Sequence, residues 1–159
     1  MVFDLKNLFS GGSPFNVDYR FAPDKFIFDK CAYIHVKGSF FVRSSVVFLE
    51  AVASFDYSGD CDCCLEPISR AYNVPLSHII VSSLNNDDNG EFIVTQTMSL
   101  DLDELALSDI LLFLPIRILC REDCSGLCPV CGNKLSGAKC SCGHSEIDPR
   151  LLALKELLD

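Results

Sequence analysis

Eight of the ten cysteines fall into four close pairs: Cys61/Cys64, Cys120/Cys124, Cys128/Cys131 and Cys140/Cys142. Two thiolates this close in sequence can grip one metal ion, and two such grips complete a tetrahedron, so four pairs suffice for two four-cysteine zinc sites. All-cysteine sites are closed and electron-rich, which suits a structural metal. A catalytic zinc needs an open position and usually takes His or carboxylate ligands. The spacing therefore speaks first to how the chain is held together.

The most specific element is Cys128-Pro-Val-Cys131-Gly132. In a zinc knuckle the backbone turns so that its amides point at the thiolates, and glycine after the second cysteine relieves the steric cost of that turn. Cys140 and Cys142 follow closely and supply the second grip, giving one zinc on Cys128, Cys131, Cys140 and Cys142. His144 is an alternative to Cys142. A second zinc on Cys61, Cys64, Cys120 and Cys124 would staple the N-terminal β region to the C-terminal segment. The rival partition moves Cys124 into the distal cluster and leaves Cys61/Cys64 free. Free, this C-x-x-C would invite a thiol redox reading, but that motif normally opens a helix, and Pro67 disfavours one here. Cys63 is a possible substitute ligand, and Cys31 reads as a buried hydrophobe.

Nothing else in the chain has the spacing of a catalytic motif. His35 alternates with apolar residues and His78 has no motif partner. There is no H-E-x-x-H, G-x-S-x-G or phosphate-loop signature. The expectation is a protein that is not an enzyme and has no small-molecule substrate.

The elements that must position the cysteines read as α+β, a mostly antiparallel sheet with one buried helix. Cys31–Val42 and Ser45–Tyr57 carry strand patterning, with Ser58-Gly59-Asp60 closing the second run as a turn. Residues 68–82 hold two further apolar patches around Pro75, 85–90 is a loop by composition, and Glu91–Thr97 is a strand. Asp101-x-x-Glu104 then resembles a capping box at the start of a helix that Pro115 stops. That helix is apolar enough to require burial. Residues 120–142 are dense in Cys, Gly and turn formers and need a metal to fold around. Asp148-Pro149 starts a short C-terminal helix whose apolar stripe is Leu151, Leu154, Leu157 and Leu158. The resulting division is a β-rich core over 1–115, a zinc-binding segment packed on it over 116–145, and the C-terminal helix over 146–159.

The formal net charge is −9, with seven acids and no Lys or Arg between Asn85 and Asp109. Such a chain does not coat nucleic acid, which needs a cationic surface. Residues 115–144 are locally different: Arg117, Arg121, Lys134 and Lys139 face only Glu122 and Asp123 in sequence. They are the candidate RNA contacts, against the plainer reading of a solvated zinc loop. No apolar run is long enough to cross a bilayer, and the N-terminus lacks the apolar core of a secretory signal, so a cytoplasmic protein is expected.

Cys61-x-x-Cys64-Leu65, Asp101-Leu102 leading a helix into Leu114-Pro115-Ile116, Cys120-Arg-Glu-Asp-Cys124-x-Gly126-Leu127-Cys128-Pro129-x-Cys131-Gly132, Cys140-x-Cys142 and Ile147-Asp148-Pro149-Arg150 together resemble the YceD family, the large ribosomal RNA subunit accumulation proteins of bacteria and plastids. The resemblance implies a cytoplasmic ribosome-biogenesis factor without known catalytic activity. It implies a role in accumulation or processing of large-subunit ribosomal RNA, through contact with a precursor large subunit by way of ribosomal proteins, rRNA or both. The family usually places a basic residue immediately before the second cysteine of the first motif, where this chain has Cys63. The alternatives are a zinc-stabilised protein–protein adaptor, a thiol redox or zinc-sensing protein, and, with no motif to support it, an RNA-processing enzyme.

Overall fold

The computed structural model describes residues 1–25, 28–44, 46–83, 92–135 and 140–142. The expected C-terminal helix lies outside these residues, as do Lys139, His144 and the acidic loop at 85–90.

Five strands form the main sheet in the order β2-β3-β4-β5-β6: β2 Phe15–Phe21, β3 Ile34–Arg43, β4 Val46–Asp60, β5 Pro67–Val81 and β6 Phe92–Val94. Pairing is antiparallel except between β5 and β6, which run parallel. A second, two-stranded sheet pairs β1 (Val2–Asp4) with β7 (Ser99–Asp101). The helices among the described residues are a single turn, α1 (Lys6–Phe9), and α2 (Leu102–Phe113). The antiparallel-dominated α+β architecture is the one expected, with the parallel β6 as its exception.

The period-two pattern of the long strands sorts their side chains. Along β4, Val47, Leu49, Ala51, Ala53, Phe55 and Tyr57 are buried, while the alternate positions from Val46 to Asp56 are not. The inward set meets Val17, Ile34, Val36, Phe40, Val74, Leu76 and Ile80 in one core, roofed by Leu5 and Leu8 from the α1 region and by α2. Full burial of such a side chain is worth about 1.5–3 kcal/mol. The opposite sheet face is open to solvent.

Two local expectations are corrected, and the patches around Pro75 are resolved. Ser58-Gly59-Asp60 is not a turn. Its residues stay extended and pair with Ser69, Ile68 and Pro67, so the reversal falls at Cys61–Glu66. β5 is one continuous strand through Pro75, which pairs with Val52. Proline fits there because β6 covers only Ile79–Val81, leaving Pro75 on an edge where no ladder hydrogen bond is needed. Of the expected strand Glu91–Thr97, Phe92–Val94 is a strand and Thr95–Thr97 is not, while Glu91 lies outside the described residues. Thr95 turns the chain toward β7, its hydroxyl bonding both the carbonyl and the amide of Ser99.

The helix α2 starts where expected. Asp101 is its N-cap, accepting from the amides of Asp103 (3.0 Å) and Glu104 (3.5 Å). Its burial is confined to the stripe Leu102, Ala106, Leu107 and Ile110. A helix laid on a sheet covers one face, so Leu111, Leu112 and Phe113 remain exposed, as does Ile116 just beyond. Among the described residues no helix is long and apolar enough to cross a membrane.

Candidate metal centres

The connection between β4 and β5 is itself the first cysteine knuckle. Cys61 ends the strand ladder, the Leu65 amide returns to the Cys61 carbonyl (2.9 Å), and the Cys61 amide donates to Glu66 O (2.8 Å). The second knuckle repeats this construction. The Gly132 amide donates to Cys128 O (2.9 Å) and the Cys128 amide to Asn133 O (2.8 Å). In both, the residue after the second cysteine is left-handed, Leu65 with φ 57° and Gly132 with φ 71°. Only the second has the glycine this conformation favours.

Beyond α2 the chain crosses back to the first knuckle. The Asp62 amide donates to Ile118 O (3.1 Å), and the Asp62 carboxylate accepts from the Ile118 amide (2.5 Å). This two-way clip seats Cys120, whose amide donates to Cys61 Sγ at 3.3 Å. Cys61 Sγ lies 3.8 Å from Cys124 Sγ, and Cys64 Sγ lies 3.6 Å from Cys120 Sγ. A tetrahedral zinc with bonds of about 2.3 Å spaces its sulfurs about 3.8 Å apart.

The sulfurs thus gather into two quartets, Cys61/Cys64/Cys120/Cys124 and Cys128/Cys131/Cys140/Cys142, each with all sulfurs within 4.8 Å of one another. Both can hold a metal ion. Cys63 and Cys31 belong to neither. They are half-buried and packed against the core.

The electrostatics fit a cation. Burial pushes the Cys61 thiol up, but the amides of Cys120, Cys63 and Cys64 outweigh it and bring it down to about 6. The Cys131 amide, aided by that of Val130, overcomes burial to bring Cys128 to about 6 as well. Other thiols of the quartets are pushed the opposite way. Burial, with neighbouring cysteine sulfurs, pushes Cys120 up to about 12, and Cys131 chiefly does the same to Cys142. Four thiolates packed this closely repel one another and coexist around a compensating cation.

The two centres pack on each other. Gly126, left-handed at φ 73°, lies so close that a Cβ there would stand 3.2 Å from the Cys63 carbonyl oxygen. Lys134 Nζ reaches Glu66 of the first knuckle at 3.5 Å. Of the four cations considered for RNA, Lys134 pairs with Glu66, Arg121 Nε lies 3.8 Å from Asp123 and Arg117 is exposed, while Lys139 lies outside the described residues. The inter-knuckle ion pair and the Asp62 clip are contacts around the quartets that sequence reasoning missed. Neither leaves a spacing signal, because their partners are distant in the chain.

Comparison with known proteins follows the same residues. The YceD family model, described as large ribosomal RNA subunit accumulation protein YceD, matches residues 49–158, a span that contains all eight quartet cysteines. Uncharacterized proteins of Mycobacterium tuberculosis (Rv2926c) and Mycobacterium bovis (Mb2951c) are each 32% identical over 106 residues, covering 63% of this chain and 50% of the relative. The chain therefore spans about half the length of these curated relatives. No solved structure matches. With the family match covering both knuckles, the helix between them and most of the sheet, the chain belongs to the YceD family.

Proposed function

We propose that this protein is a non-enzymatic factor that promotes accumulation or processing of large-subunit ribosomal RNA by docking on a precursor large subunit in the cytoplasm, with two structural zinc ions. The observation that carries the reading is the family match over residues 49–158, since the family is named for large ribosomal RNA subunit accumulation. Zinc is the metal best suited to two closed, tetrahedrally spaced thiolate quartets. The charge of −9 favours contact with basic ribosomal proteins. The exposed Leu111, Leu112, Phe113 and Ile116, beside a helix bearing Asp103, Glu104 and Asp109 and no cation, suit such a contact.

A lysate gradient of growing cells tests this. Co-migration with large-subunit precursors, together with a fall in large-subunit relative to small-subunit RNA on depletion, is the expected result. Sedimentation only as a free small protein, with unchanged RNA ratios, overturns it. A thiol redox reading has one observation in its favour, the low Cys61 thiol. Cys61 is fully buried among three other sulfurs, however, whereas a redox thiol must meet its substrate.

A further inference from the structure

The face of the main sheet turned away from the core is uncovered. No described outward-facing residue of β2, β3, β4 or β5 is buried. Solvated antiparallel faces are common, but this one is organised. Arg20, His35, Ser54 and Asn73 stand in a single row, directly paired across four adjacent strands. They border a recess of about 400 Å³, flanked by Tyr33 and Asp56. Tyr33 is 65% exposed, a large ring held in water beside a polar row. The Arg20 guanidinium has no ion-pair or hydrogen-bond partner among the described residues.

Six residues along β3 from His35, about 20 Å at strand rise, the same face carries a second aromatic station. Phe41 and Phe48 are cross-strand partners with near-parallel rings, 5.4 Å between centroids and 9° between planes. The Arg43 guanidinium sits 5.5 Å from the Phe41 centroid. Between the stations lies Lys37, with Asp18 held by His35 (2.7 Å) and Lys37 (3.4 Å).

Rings at both ends of an open sheet face, guanidinium groups beside them, an amide and a hydroxyl in the recess, and Lys37, Ser39, Asp18 and Glu50 between are parts that can bind unpaired nucleotides. Aromatic rings stack bases, cations track phosphates, and Asn, Ser and carboxylate groups meet base edges. Duplex RNA would hide its base faces from such rings. We propose that this sheet face binds single-stranded RNA, with Tyr33 stacking a base at the recess, Arg20 on the adjoining phosphate and Asn73 on the base edge. This rests on the ribosomal-RNA reading above and moves the RNA contact from the zinc-loop cations to the sheet.

The test is fluorescence anisotropy of a labelled, mixed-sequence, short oligoribonucleotide with the zinc-loaded full chain, alongside gradient sedimentation of the same variants. Tyr33→Ala and Asn73→Ala should each weaken binding, the former about tenfold. Arg20→Glu should also weaken it, and Arg20→Gln should shrink the slope of log affinity against log salt by about 0.7. Arg117→Glu, on the zinc loop, should bind as the unmodified chain does. Circular dichroism and zinc content establish that the variants fold. Photo-crosslinking of the unmodified chain to a 4-thiouridine oligonucleotide should independently label the peptides bearing Tyr33 or Phe41.

No binding by the unmodified chain, equal binding by the sheet variants, or crosslinks confined to the zinc loop overturns the inference. So does preference for duplex RNA. If the chain then still sediments with precursor particles, the ribosomal reading stands and only the RNA face is wrong. If the chain binds RNA through this face but never joins particles, it is the ribosomal reading that fails.

Discussion

Cys61 Sγ and Cys124 Sγ lie 3.8 Å apart although 63 residues separate them in the chain. Cys61 closes the long β4–β5 hairpin, and Cys124 follows the segment that leaves α2. A metal between them would join the end of the sheet to the segment that follows the helix. The distal quartet, spanning only Cys128 to Cys142, organises a local loop. The two centres therefore differ in mechanical role even though their ligands are alike.

Metal analysis of the purified chain should find two zinc ions per molecule. Cys124→Ser should lower this to one and broaden the thermal transition, because it unfastens a long-range closure. Cys131→Ser should also leave one zinc but with a smaller loss of thermal stability, since the sheet and its staple remain. Elemental analysis beside thermal circular dichroism checks both. Equal destabilisation by the two substitutions would refute the division of roles.

Leu65 holds the left-handed position that Gly132 holds in the second knuckle, and its side chain is 66% exposed. It makes no core contact that would offset the strain. A left-handed L-residue costs about 1–2 kcal/mol, and glycine costs about 0.5–1 kcal/mol in unfolded-state entropy. Leu65→Gly should therefore stabilise the protein by about 0.5–1 kcal/mol, read from denaturant midpoints at constant zinc. Destabilisation would mean that the leucine side chain has a role beyond the knuckle.

The partition of the cysteines was legible because each pair is a local grip with a fixed reach, and only the matching of pairs needed three dimensions. The α2 start was legible too, since Asp101 caps amides two and three residues away. What the sequence hid was set by distant partners. Gly59 suggests a turn until Ile68 is found opposite it, and whether the two apolar patches around Pro75 form one strand is settled only by its pairing with Val52. The parallel β6 depends on a connection whose direction no local pattern encodes. The exposure of Leu112 and Phe113 depends on which face of α2 meets β5. The row Arg20–His35–Ser54–Asn73 comes from four strands and exists only in register.

At Asp101 one carboxylate serves both the chain terminus and the helix. The Met1 ammonium, at 3.0 Å, with the amides of Asp103 and Glu104, holds it below its ordinary value of 3.8. A depressed folded-state pKa contributes stability above pH 3.8 that is lost as pH falls through the lower folded value. Asp101→Ala should cost about 1 kcal/mol at neutral pH through the lost cap. Asp101→Asn keeps a capping acceptor and should cost less. The difference between Asp101→Asn and the unmodified chain should vanish as pH drops below about 3.8, followed by urea unfolding at successive pH values. A difference that persists undiminished in acid would show that the charge is not what Asp101 contributes.

Asp62 touches no metal ligand through its side chain, yet it fixes one. Its carboxylate receives the Ile118 amide while its own amide binds Ile118 O, and Cys120 follows two residues on with its amide on Cys61 Sγ. Groups that orient ligands typically change metal affinity 10–100-fold when removed. Asp62→Ala should weaken zinc at the first centre about tenfold in competition with a chromogenic chelator, leave the distal centre unchanged, and lower stability by about 1–2 kcal/mol through loss of a charge-assisted hydrogen bond. The chelator should then resolve two classes of zinc where the unmodified chain releases both slowly. Asp62→Asn, whose amide oxygen can still accept from Ile118, should recover most of the affinity. If instead both centres loosen together, the Gly126–Cys63 contact and the Lys134–Glu66 pair transmit more between the knuckles than their geometry suggests. Lys134→Ala combined with Asp62→Ala would then be the double-mutant cycle that measures that coupling.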